Sequence, residues 1–166
     1  MLNALLVSLA INAVMFVIAY KRSSDKLTDI SYAVSFAAIA VYGFSQSNKS
    51  SFHAVLLGLV LVWAARLGGF LLYRVIKVGK DQRFDQIRNS FLKFGRFWLF
   101  QALTAWALMI PAILAFTREG AITSLSIVGA IICVLGIAIE GTADIQKFRF
   151  NSDPKNKGTW IESGIW

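Results

Sequence analysis

"HAVLLGLVLVWAARLGGFLLYRVIK", residues 53–77, carries no charged side chain from Ala54 to Ala65. It then continues through Arg66 into a second apolar stretch ending in Arg74 and Lys77. A helix crosses the roughly 30 Å hydrocarbon layer in about 20 apolar residues, so this run has membrane length. Reading it as a transmembrane helix sets the fold, because four similar runs flank it. They occupy residues 2–20, 30–44, 91–116 and 121–150. The expected fold is an all-α, polytopic transmembrane helical bundle of about five spans, followed by a tail at 151–166. Pro111 should kink the fourth span or mark local irregularity. Residues 1–166 read as a single membrane-embedded domain without internal repeats.

Composition agrees. Hydrophobic residues make up 57% of the chain, whereas soluble proteins average roughly 45–50% even with Gly counted. The formal charge of +8 would suit nucleic acid, but the bases cluster at the ends of apolar runs instead of forming a separate basic domain. That distribution suits anionic headgroups and excludes a nucleic-acid partner. It also predicts orientation. Lys21, Arg22 and Lys26 fill the first connection, and Lys80, Arg83 and Arg88 lie in the third. The second and fourth offer only Lys49 and Arg118. By the positive-inside rule the N-terminus faces out and the C-terminus is cytoplasmic, in a multi-pass protein of the cell inner membrane. The first span is not read as a signal peptide: no base precedes it and no small-residue cleavage site follows.

Chemistry is sought where charge meets an apolar run. Arg66 lies about two turns deeper than Arg74, at a depth where an ionisable group usually faces a partner or a wet cavity. It shares a face with Phe70, Tyr73 and Lys77, and Gly68 and Gly69 would let another helix or a ligand approach. Arg74 and Lys77 suit snorkelling to the interface. The stretch "GKDQRFD", residues 79–85, reads either as a solvated connection or as a set of groups, Asp81 and Arg83 among them, that meets nucleotide phosphates. In "GIAIEGTADIQKFRF", residues 136–150, the i, i+4, i+7 spacing puts Glu140, Asp144 and Lys147 on one helical face, with Arg149 just beyond. Acids can accept hydrogen bonds from ribose hydroxyls while bases pair with phosphate. From spacing alone the stripe serves equally as an ion network between helices. His53 reads as interfacial, Cys133 forms no internal disulfide, and no cluster points to a metal. Neither a dinucleotide fingerprint nor a Walker loop is present.

Three segments in order carry a resemblance: "RLGGFLLYRVIKVGKDQRFD" at 66–85, "ADIQKFRF" at 143–150 and "NKGTWIESGIW" at 156–166. Residues 29–166 resemble bacterial membrane proteins related to the steroid 5-alpha-reductase C-terminal family. The resemblance implies a membrane reductase that uses NADPH to reduce a double bond conjugated to a ketone in a hydrophobic small molecule, an oxidoreductase acting on CH–CH bonds. It implies a cofactor contact from Asp144, with Lys147 and Arg149 near the phosphate-binding bases and Arg66 matching an arginine in the helix before the basic loop; the charge pattern adds Arg74, Asp81, Arg83 and Glu140 as cofactor-binding candidates. Trp63 stands where those enzymes place a carbonyl-binding tyrosine, and Asp29 is the only candidate for their partnering glutamate. The family's next motif, an Arg-His-Pro segment, would follow Trp166. The chain is therefore expected to be the N-terminal part of a longer fold and inactive by itself. An S-adenosylmethionine-dependent membrane methyltransferase and a non-enzymatic helical scaffold remain alternatives.

Overall fold

A computed structural model describes residues 1–78 and 84–166. Five long helices dominate it: α1 (Leu2–Lys21), α2 (Lys26–Gln46), α3 (Ser51–Val78), α4 (Phe91–Phe116) and α5 (Ser124–Ser152). Each is long and apolar enough to cross a membrane, and no strand occurs among the described residues. The five spans expected from hydropathy are all there, with ends moved by a few residues. α4 stays a continuous helix across Pro111, whose ring removes the ladder hydrogen bond to the carbonyl of Ala107.

The chain forms two compact units, residues 1–122 and 123–166. In the first, α2 packs on α1, α3 and α4, and α1 packs on α4. One core cluster joins Ala4, Phe36, Ile39, Ala64, Met109 and Phe116; a second joins Ala19, Phe84, Phe94 and Trp98. Small residues set the spacing between helices. A Cβ on Gly68 would lie 2.9 Å from that of Ala33, and one on Gly43 would lie 2.6 Å from the Phe116 ring. The close approach expected at Gly68 is thus made by α2, whereas Gly69 faces open space. Large apolar side chains point outward: Leu92 is 74% exposed, Leu108 62% and Val62 59%. Apolar surface on that scale is untenable in water and is what lipid tails cover.

His53 sits at the start of α3, as expected for the end of a span, but it is fully buried in protein. Its Nε2 pairs with the carbonyl of Ala115 at 3.1 Å and its Nδ1 with Ser50 Oγ at 3.2 Å. Carbonyl oxygen can only accept, so Nε2 carries a proton; in a neutral ring Nδ1 then accepts from the serine. α3 and α4 meet sparsely elsewhere, and this ring ties their ends. His53→Ala should lower stability by about 1–3 kcal/mol by orphaning buried partners, measured as a thermal shift in detergent.

In the second unit Thr123 and Ser126 form a reciprocal capping box at the start of α5. The tail makes a 3₁₀ turn at Pro154–Asn156 and folds back onto α5: the backbone N–H of Ile165 donates to Gln146 Oε1 at 3.1 Å.

Candidate functional site

The end of the first unit that carries Lys21, Arg74 and Arg88 is closed by ion pairs. Asp25 begins α2 and is 6% exposed; Arg88, in the segment entering α4, is 5% exposed. Arg88 Nη1 lies 3.2 Å from Asp25 Oδ1, and its Nη2 lies 2.8 Å from Asp85 Oδ1. Its Nε donates to the carbonyl of Phe84 at 3.3 Å. Phe84 is itself buried, edge-on to Phe97 with ring centroids 5.0 Å apart. The part of the third connection that follows Arg83 is therefore not the solvated loop its composition suggests. An aromatic and a guanidinium anchor it to α1, α2 and α4.

Asp29, one turn into α2, forms an ion pair with Arg74 of α3. Snorkelling expected for Arg74 gives way to a partner, because α2 presents a carboxylate at that level. Arg66 lies half-buried on α3. Trp63 packs on Phe36 with centroids 4.6 Å apart and joins the core. Asp81 and Arg83 fall outside the described residues.

A second feature of this unit lay unread in the sequence. Ser8 and Asn12 of α1, Thr28, Ser31 and Ser35 of α2, and Gln101 of α4 are all buried. Gln101 Nε2, with two hydrogens to share, lies within reach of three acceptors: Asn12 Oδ1 at 3.2 Å, the carbonyl of Thr28 at 2.8 Å and Ser31 Oγ. Asn12 Nδ2 donates to Ser35 Oγ at 3.0 Å, and Ser8 Oγ to the carbonyl of Ala102 at 2.8 Å. Gln101 Oε1 and the Nε1 of Trp98 find no hydrogen-bond partner among the described residues. The signal was available: Ser8 and Asn12, like Ser31 and Ser35, stand four residues apart, which puts each pair on one face of an apolar helix.

The second unit holds the remaining candidates. Glu140, Asp144 and Lys147 do share a face of uninterrupted helix, in which the acids are half-buried and Lys147 and Arg149 are exposed. The returning tail adds to this face. The Trp166 ring centroid lies 4.5 Å from Lys147 Nζ, and its Nε1 donates to the carbonyl of Ala143 at 3.1 Å. No group of three His, Cys, Asp or Glu is placed to hold a metal among the described residues.

A family model described as "Protein of unknown function (DUF1295)" matches residues 15–166. No curated protein and no solved structure matches the chain.

Proposed function

The chain belongs to the DUF1295 family, matched over residues 15–166, and we propose that it is a membrane-embedded, reductase-like protein using NADPH on a hydrophobic substrate. The observation that carries this reading is the α5 stripe, where half-buried Glu140 and Asp144 precede exposed Lys147 and Arg149 on a continuous helix. This donor set fits a ribose phosphate. Carboxylates accept from sugar hydroxyls, and exposed bases meet phosphate through charge-assisted hydrogen bonds. Arg74 fits less well, since a phosphate there would compete with Asp29. In this reading Asp144 orients the ribose, Lys147 and Arg149 hold the phosphates, and the surrounding lipid delivers an apolar enone to the protein. When bound, NADPH would supply hydride to carbon; this chain contributes binding and orientation.

The topology that goes with it places the N-terminus outside and the C-terminal end of α5 at the cytoplasmic surface, where nucleotide is available. With Cys133 replaced by Ser, Asn48→Cys should react with an impermeant maleimide on intact cells, and Ser152→Cys only after permeabilisation. The opposite pattern would put the stripe on the wrong face.

Asp144→Asn keeps the side-chain shape and removes the charge. In the protein purified at its natural length from its own membrane, NADPH affinity should fall about 10- to 100-fold, from loss of a hydrogen bond to a charged group worth about 1.5–3 kcal/mol. Unchanged affinity would remove Asp144 from the site.

A scaffold reading draws on a different observation. The acids at the end of the first unit are bound to arginines, Asp25 to Arg88 and Asp29 to Arg74. Charges there serve packing, and if α5 behaves likewise the stripe is an ion network.

A further inference from the structure

The last four residues make a specific contact for so short a segment. Gly164 adopts φ +80°, and a Cβ built there would lie 2.3 Å from Gln146 Oε1. That glycine lets the chain turn so that the Ile165 N–H reaches Gln146 and the Trp166 indole reaches the carbonyl of Ala143. The reversal between is also built: Asp153 Oδ1 accepts from the Lys155 N–H at 3.0 Å, and Asn156 Nδ2 donates to the carbonyl of Phe150 at 2.9 Å.

This fold-back fixes a depth. α5 carries no charged side chain from its start to Glu140, so its hydrocarbon-spanning part ends near that residue. Gln146 and Ala143 lie within two turns of it, at the level of lipid headgroups. The returning residues Ile165 and Trp166 are outward-facing there, 49% and 50% exposed, and Trp160, farther back on the tail, is 78% exposed. Left in water, two indoles and an isoleucine would be poor surface; at the headgroup level, amphipathic indoles are at their most favourable. Residues 151–166 carry two bases (Lys155 and Lys157) and two acids; Asp153 caps the turn and Glu162 accepts from the Trp160 indole, which leaves the two lysines for headgroup phosphate.

We propose that the returning tail is a membrane-interface hook: Trp160, Ile165 and Trp166 seat among phospholipid headgroups, and Lys155 and Lys157 meet their phosphates. The hook goes beyond the nucleotide reading, which draws on Asp144, Lys147 and Arg149, and meets it at one point, where the Trp166 ring lies 4.5 Å from Lys147 Nζ. It would fix the rotation and depth of α5, and so the level at which the acid–base stripe emerges from the bilayer.

The test uses the full chain in phospholipid vesicles, with Cys133→Ser and a nitroxide on Ser163→Cys. Collision with oxygen against a water-soluble relaxant should place the label at headgroup depth. Gly164→Val puts a β-branched residue at positive φ against Gln146 and should release the turn. The label should then move into water, and tryptic cleavage at Lys155 and Lys157 should rise about tenfold. Trp160→Ser leaves the turn intact and should also move the label outward. A label that is water-exposed with Gly164 in place, or unmoved by Trp160→Ser, would overturn the lipid contact and leave only a self-contained turn.

Discussion

Arg88→Met should destabilise the protein in detergent by about 3–5 kcal/mol, the usual cost of removing one partner from a buried ion pair. Arg88 is 5% exposed and Asp25 6%, so water cannot replace the lost guanidinium at Asp25. Asp85 is half exposed and can recover solvent; its side chain is 45% accessible. Most of the loss should therefore trace to Asp25. The double variant Asp25→Leu/Arg88→Met should recover much of the stability, since well-packed apolar replacements of a buried pair are often neutral. Arg22→Met, at an exposed position in the same end of the unit, should change little. Thermal unfolding followed by a fluorescence or aggregation readout checks all three. A loss equal to that of Arg22→Met would mean the pair contributes nothing to holding the third connection on α2.

Gln101→Leu should cost about 1 kcal/mol. Its Nε2 shares two hydrogens among Asn12, Thr28 and Ser31, and interhelical hydrogen bonds in membranes average roughly 0.6 kcal/mol each. The three acceptors lie on α1 and α2, so the amide joins three helices at one buried point. Asn12→Leu in the same protein should cost less than it does alone, because the two amides share a bond and deletions within one network do not add. Additive losses would show that Gln101 and Asn12 act separately. A clear gain from Gln101→Leu would show that its Oε1, without a partner among the described residues, outweighs the donated bonds.

The spans were legible because length and apolarity are sequence properties and the bilayer reads them directly. Gly68 was legible as a close-approach site for the same local reason. Partnership was not. Arg74 looked free to snorkel because nothing in residues 66–77 reveals that Asp29 of another helix lies beside it. Arg88 and Phe84 looked solvated because they sit in a charged stretch, yet the tertiary fold buries both. His53 was placed at the right end of its helix, but only the packing of α4 supplies the Ala115 carbonyl that buries it. The polar node around Gln101 was missed for another reason: each member is a common residue in an apolar run, and only their convergence gives them weight. The α5 stripe was fully legible, since spacing along one helix needs no tertiary information. Its ligand is a different matter, resting on the resemblance and on the acid–base order of the side chains.

The most direct measurement is a ligand panel on the protein at its natural length, purified from its own membrane into lipid nanodiscs, with unfolding temperature followed against NADPH, S-adenosylmethionine and buffer. A ligand that binds only the folded state raises that temperature with concentration. The nucleotide reading predicts a saturable rise with NADPH that Asp144→Asn shifts to higher concentration, and no rise with S-adenosylmethionine. A rise with S-adenosylmethionine alone, or none with either compound while Asp144→Asn lowers the unfolding temperature by itself, would contradict it and leave the stripe to methyl transfer or to helix packing.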